Sequence, residues 1–160
     1  MVTDYDALSN GTAKPGRSVV VIGGQWLGMS VAEALAERGS EVTVINATDA
    51  IAQDLEYMAQ QTLNARLNRS NQIKLRLNTN VERIEDGQLA LQTGGEIQKL
   101  TGIDQVVFAI EREMDRSLID AMALEAKKGV GIECYTIGDC VWPREPYDTI
   151  FEANSLARKL

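Results

Sequence analysis

A chain of 160 residues, 44% hydrophobic and 24% charged, is long enough to bury one core. No apolar run in it approaches the roughly 20 residues that a membrane helix needs. The net charge of -7 argues against nucleic acid or an anionic membrane surface as partner, because both reward clusters of Lys and Arg. Histidine is absent, which removes the commonest acid–base group at neutral pH, His-ligated zinc and Ser-His-Asp triads.

Val2 to Gly16 reads as a lead-in. The turn signals Ser9-Asn-Gly11 and Lys14-Pro-Gly16 punctuate it, with a short helical turn over Asp4 to Leu8 capped by Thr3. The polar, acidic start has neither the basic region nor the apolar core of a secretory signal, so a cytoplasmic setting is expected. Arg17 to Ile22 contains the β-branched run Val19 to Ile22, which suits a strand covered on both faces. Gly23, Gly24 and Gly28 mark a turn. Trp26 to Arg38 then repeats Leu27, Val31, Ala32, Leu35 and Ala36 at helical spacing, and Gly39 suits the left-handed position that ends a helix. Glu41 to Ile45 supplies a second buried strand, which ends in Asn46. The stripe Ile51, Leu55, Met58, Thr62, Leu63 and Leu67 predicts a helix over Ala50 to Leu67, with Asp49 at its start. Ile73 to Leu77 alternates as a half-buried strand, and Arg66, Arg69, Lys74 and Arg76 read as a solvated helix end and strand face.

The next region changes character. Val81 to Glu85, Gln88 to Thr93 and Glu96 to Leu100 alternate in short runs separated by Asp86-Gly87 and Gly94-Gly95, which predicts an antiparallel meander. Gln105 to Ile110 returns as a buried strand. Beyond it come a helix over Ser117 to Ala126, a loose stretch with Gly129 and Gly131, and a strand over Ile132 to Ile137. A turn at Gly138-Asp139-Cys140, a loop with Pro143 and Pro146, and a terminal helix from Thr149 to Leu160 close the chain. Cys134 and Cys140 do not form a CxxC pair and are expected to be buried, reduced and structural.

Strand, glycine turn, helix and strand over residues 17–45 make a βαβ unit with a dinucleotide fingerprint at its first turn. In such a fingerprint the first glycine turns the chain. The second lets the backbone approach a pyrophosphate, and the third lets helix and strand pack closely. The helix N-terminus offers free N–H groups and partial positive charge to the phosphates. Gly23 and Gly28 match the first and third positions; Gln25 stands at the second. A side chain there removes steric room, although its amide could donate a hydrogen bond. Bulky Trp26 shields the turn or faces a partner. Asn46 stands where an acidic residue would accept from an adenosine ribose, and no nearby arginine favours a 2′-phosphate. No residue is a good candidate for a catalytic acid, base or nucleophile.

The order of elements resembles the pyridine-nucleotide domain of flavin disulfide-reductase-like enzymes. Within these it resembles most the C-terminal half of the NADH:flavin oxidoreductase relatives, namely 2-enoate reductase, 2,4-dienoyl-CoA reductase and trimethylamine dehydrogenase. Three stretches carry the likeness: Val2 to Gly11, as the crossover from a flavin domain; Val19 to Gly28 with Ala32, Leu35, Gly39 and Val42-Thr43, as the fingerprint; and Tyr135-Thr-Ile-Gly-Asp-Cys140 with Pro143-Arg144, as the return into the flavin domain. The resemblance implies a fragment of a flavoprotein whose FAD-binding and FMN-barrel domains lie upstream, with NAD(H) held at Gly23, Gly24, Gln25, Trp26, Leu27, Gly28, Asn46, Ala109 and Ile110. It implies that Asp139 hydrogen-bonds the ribityl chain of FAD, or the equivalent part of ADP. Glu111, beside Arg112, stands where the family carries a glycine, and its carboxylate would oppose the charge of a dinucleotide. Together with Gln25 and Asn46 it predicts weak or lost dinucleotide affinity. The fold expected is an α/β, three-layer Rossmann-like domain with a parallel sheet, helices on both faces and an antiparallel meander. Its expected divisions are a lead-in over 1–16, the nucleotide domain over 17–112 and a return segment over 113–160.

Overall fold

The computed structural model describes residues 2–4, 8, 11, 13–110, 114–127, 133–144 and 146–160, with backbone only for 2–4, 126 and 127. The expectations for Glu111 and Arg112, for the loose stretch with Gly129 and Gly131, and for most of the helical turn near Leu8 lie outside the described residues. The chain divides into two compact units, Met1–Ile110 and Glu111–Leu160.

In the first unit the elements are β1 (Val2–Asp4), β2 (Ser18–Ile22), α1 (Trp26–Glu37), β3 (Glu41–Ile45), α2 (Tyr57–Leu67) and β4 (Ile73–Arg76). They continue with β5 (Thr79–Glu85), β6 (Gln88–Thr93), β7 (Glu96–Thr101) and β8 (Gln105–Phe108). Five strands form a parallel sheet in the order β1-β8-β2-β3-β4, and β5-β6-β7 form the antiparallel meander. Thr3, read from sequence as a helix cap, thus stands inside a strand, and the lead-in contributes to the sheet.

Side chains alternate across the parallel sheet. Val19, Val21, Val42, Val44 and Val107 face α1, where Met29, Val31, Ala32, Leu35 and Ala36 are buried, and Leu63 of α2 joins the same cluster. Burying a residue such as Met29 or Leu35 contributes roughly 1.5–3 kcal/mol. Val20, Ile45 and Val106 face the other way, against Leu89 and Leu91 of the meander and Ile103. The three layers are therefore helices, parallel sheet and meander. The expectation of helices on both faces is corrected, because the meander, with Leu89 and Leu91 alternating inward, already covers the second face.

Glycines set the boundaries. Gly39, at φ +92, lets its N–H bond Ala36 O while Ser40 N–H bonds Leu35 O, the pattern that closes a helix through a left-handed residue. Gly94 and Gly95 both have positive φ, as the tight two-residue hairpin turn requires. At the opposite end of the sheet, Asp104 Oδ2 accepts from the N–H groups of Arg17 and Ser18, which fixes where β2 begins. Arg66 reaches from α2 to Glu33 of α1 through two N–H bonds, a solvated pair that contributes at most about 1 kcal/mol.

The second unit holds α3 (Ser117–Lys127), a single 3-10 turn (Gly138–Cys140) and α4 (Pro146–Ala157). Pro146 does not sit in a loop. It opens α4, where a fixed φ and a missing N–H cost nothing. Residues 133–137 are not a strand. A strand needs a neighbour to take its hydrogen bonds, and the second unit contains no other strand among the described residues.

Candidate functional site

β2 delivers the chain to a turn in which the glycines have little alternative. Gly23 has φ +115, and a Cβ there would lie 2.2 Å from Ala109 O. A Cβ on Gly28 would lie 1.9 Å from Gly23 O, so the first turn of α1 rests directly on the strand–helix turn. Ala109, following β8, donates its N–H to Ile22 O at 2.9 Å and extends the sheet beneath the turn. Gly23, Gly24, Gln25, Trp26, Asn46, Ala109 and Ile110 thereby share the C-terminal edge of the parallel sheet, where ligands of open α/β sheets bind. Leu27 differs: its side chain is half-buried and packs into the helix-side core. Trp26 and Ile110 are exposed, whereas Ala109 is buried.

The segment after β3 is not the helix expected over 50–56. Helix α2 begins only at Tyr57, and Asp49 does not start it. Residues 46–54 instead fold over the glycine turn. Asn46, only 9% exposed, accepts from Gly24 N–H through Oδ1 at 3.1 Å and donates through Nδ2 to Thr48 Oγ1 at 2.8 Å and Ala50 O at 2.7 Å. Ala52 N–H donates to Gly24 O at 2.7 Å, and Gln53 N–H donates to Gln25 Oε1 at 3.0 Å. Both carboxylate oxygens of Asp54 accept from Trp26 N–H, at 2.9 and 3.1 Å. Ile51 and Ala52 are buried against the helix-side core, and Gln60 of α2 donates its amide to the Ile51 and Ala52 carbonyls. Ala52 holds φ +49, a conformation that a residue with a Cβ resists by about 1–2 kcal/mol.

These contacts decide what the edge can bind as it stands. The N-cap position of α1, Gln25, makes no side-chain capping bond, and the first turn of α1 carries no acidic residue. Asp54 supplies the missing negative charge from 28 positions along the chain. The Gln25 amide oxygen faces the loop as an acceptor. Gly24 N–H and Trp26 N–H, two of the donors at this turn, are taken by Asn46 and Asp54. A diphosphate would have to compete with Asp54 for the Trp26 N–H, whereas the steric requirement for glycine at Gly23 and Gly28 fits the fingerprint. Gln53 and Asp54 escape sequence reasoning because both fall on the polar side of a helical stripe.

Asp139 lies in the second unit, exposed, in the turn Gly138–Cys140; its Oδ1 accepts from Arg144 N–H at 3.3 Å. The same turn is tied to α4 by Glu152, which accepts from Gly138 N–H at 2.8 Å and from the Arg144 guanidinium. The Gly138 N–H first, and Arg144 second, hold the Glu152 carboxyl below its ordinary value. Cys134 is exposed and Cys140 half-buried with its thiol toward Ile137 O, so the expected burial fails for Cys134; both are free thiols. A concavity of about 490 Å³ is lined by Tyr135, Ile137, Val141, Phe151 and Leu156 among others. No group of His, Cys, Asp and Glu among the described residues could hold a metal ion, and no helix among them is long and apolar enough to cross a membrane.

A family model described as pyridine nucleotide-disulphide oxidoreductase matches residues 1–150. Rubredoxin-NAD(+) reductase of Ectopseudomonas oleovorans is 33% identical over 145 residues, covering 81% of this chain and 36% of the relative. The structure of 2-naphthoyl-CoA reductase with 2-naphthoyl-CoA superposes with a TM-score of 0.76 at 31% identity, over 93% of this chain and 22% of that one. Histamine dehydrogenase from Rhizobium sp. 4-9 shares the fold, with a TM-score of 0.83 at 21% identity, over 99% of this chain and 26% of that one. The chain thus spans about a third or less of the length of these relatives.

Proposed function

The chain belongs to the pyridine nucleotide-disulphide oxidoreductase family, and from that premise we propose that it is the pyridine-nucleotide domain of a flavin-dependent, NAD(P)H-linked oxidoreductase. The resemblance to 2-enoate and 2,4-dienoyl-CoA reductases narrows the proposal to that kind of enzyme, working in the cytoplasm. The role of the domain is to position NADH for hydride transfer to an FAD that other domains hold; the chemistry belongs to the cofactors. The observation that carries this reading is the turn itself. Gly23 and Gly28 are sterically required, the helix starts directly on the strand, and the turn lies at the C-terminal edge of a parallel sheet. In the second unit, Tyr147, Ile150 and Phe151 are more than 60% exposed, and Trp142 more than half. An apolar surface of this kind fits a flavin domain of the same protein as its partner.

A second reading has its own support. With Gly24 N–H and Trp26 N–H taken by Asn46 and Asp54, the domain would persist as a non-catalytic scaffold, or as a site for ADP alone. Calorimetric titration of the chain with NADH, NADPH and ADP separates these. NADH binding with a Kd of about 1 mM or tighter supports the first reading. ADP binding without NADH binding selects the ADP site, and no heat with any of the three selects the scaffold.

A further inference from the structure

We infer that the loop from Asn46 to Asp54 is an internal occupant of the phosphate subsite, and that the Asp54 carboxylate sets the affinity of this domain for diphosphate ligands. The inference rests on the nucleotide-domain reading and deepens it. Its basis is the way the loop meets the turn. Asp54 puts two anionic oxygens on Trp26 N–H, at the N-terminus of a twelve-residue helix with no acidic residue of its own in the first turn. A carboxylate there presents to the helix what a phosphate would: negative charge and oxygen acceptors. Three further bonds hold the loop in place, namely Gly24 N–H to Asn46, Ala52 N–H to Gly24 O, and Gln53 N–H to Gln25. Gln25 is thereby accounted for. At the position where the fingerprint has its second glycine, its side chain clasps the loop that covers the turn.

The closed arrangement is releasable. Asp54 and Gln53 are exposed, the bonds they make are not sealed from water, and Ala52 is held in the left-handed region against its preference. A diphosphate and Asp54 cannot both take the Trp26 N–H, and their like charges repel, so a dinucleotide binds only as the loop lifts. The intrinsic affinity of the turn is then reduced by the fraction of molecules in which it is covered.

The test compares the full chain with Asp54→Ala and Asp54→Asn. Inorganic pyrophosphate, ADP and NADH serve as titrants, and amide exchange is read at Trp26. The Trp26 amide is expected to exchange about tenfold faster in Asp54→Ala than in the unaltered chain, and pyrophosphate and ADP to bind about tenfold tighter. Asp54→Asn, which keeps an acceptor and loses the charge, should fall between them. Unchanged slow exchange at Val21 and Val44 shows that the fold is intact, and the near-isosteric Asn variant carries the test if Ala disturbs it. Equal pyrophosphate affinity in all three proteins, or a Trp26 amide indifferent to Asp54, overturns the inference. If NADH binds the unaltered chain and both variants equally, the internal occupant falls while the nucleotide-domain reading stands. If pyrophosphate binding is gained and NADH binding never appears, the occupant stands and that reading falls.

Discussion

Asn46 stands where the family fingerprint has an acid, yet its surroundings call for an amide. Its oxygen takes Gly24 N–H, while its NH2 group gives one hydrogen to Thr48 Oγ1 and one to the Ala50 carbonyl. Thr48 can turn its hydroxyl to donate, but a carbonyl cannot. Asn46→Asp, which restores the acid of the fingerprint, therefore sets a carboxylate against Ala50 O in a nearly buried place. It should destabilise the chain by about 1–3 kcal/mol in urea unfolding, and NADH affinity should not improve, because the ribose acceptor was never free. How much of the site was legible follows the same line. Gly23 and Gly28 can be read from sequence because a missing Cβ is a local necessity at a strand–helix turn. The partnership of Gln25 with Gln53, and of Trp26 with Asp54, spans 28 positions and leaves no local mark.

At the scale of elements, one side chain ties the Gly138–Cys140 turn to α4. Glu152 of α4 accepts from Gly138 N–H and from Arg144, and its folded value lies below its ordinary one for those two reasons in that order. A carboxyl with a depressed folded value contributes stability that is present above its unfolded value. That contribution is lost as pH falls through the folded one. The Gly138 amide resonance should accordingly hold steady at neutral pH and shift on acidification below the usual glutamate value of 4.5. In Glu152→Gln this step should be absent. Elements differed in how well sequence foretold them. The meander was legible because period-two alternation and paired-glycine turns are local signals. Ile51 and Leu55 repeat like a helix, yet the backbone there goes to the glycine turn, and only tertiary hydrogen bonds decide between the two. The strand expected over 132–137 has the right residues, but its described part, 133–137, lacks a neighbouring strand among the described residues of its unit.

For the whole molecule, burial is uneven. Among the described residues the large, fully buried side chains, Met29, Ile45, Leu89, Leu91, Val107 and the valines of β2 and β3, all lie in the first unit, whereas α4 has no buried residue. Local opening free energies follow apolar burial. Amide exchange measured along the chain should therefore be slowest at Val19–Val21, Val42–Val44 and Val106–Val107. Exchange over α4 should be faster by orders of magnitude, and equal protection in both units would contradict this account. The sequence foretold three layers but not their order, since a helical stripe does not say which side of a sheet it will cover.

The parallel sheet also carries a timetable. β1 precedes β8 on the ribosome, yet its neighbour among the described residues is β8, about 100 residues later, and β8 is also the second neighbour of β2. At roughly 5–20 residues per second, β8 follows β1 by about 5–20 s. For that interval β2, the most apolar strand of the sheet, offers an open edge beside its Val19–Ile22 run. The time is ample for the meander to pair and lie across the opposite face, so the last strand synthesised in this unit is the one that inserts between β1 and β2. A nascent chain halted before Gln105 should be the form that chaperones hold and that self-associates.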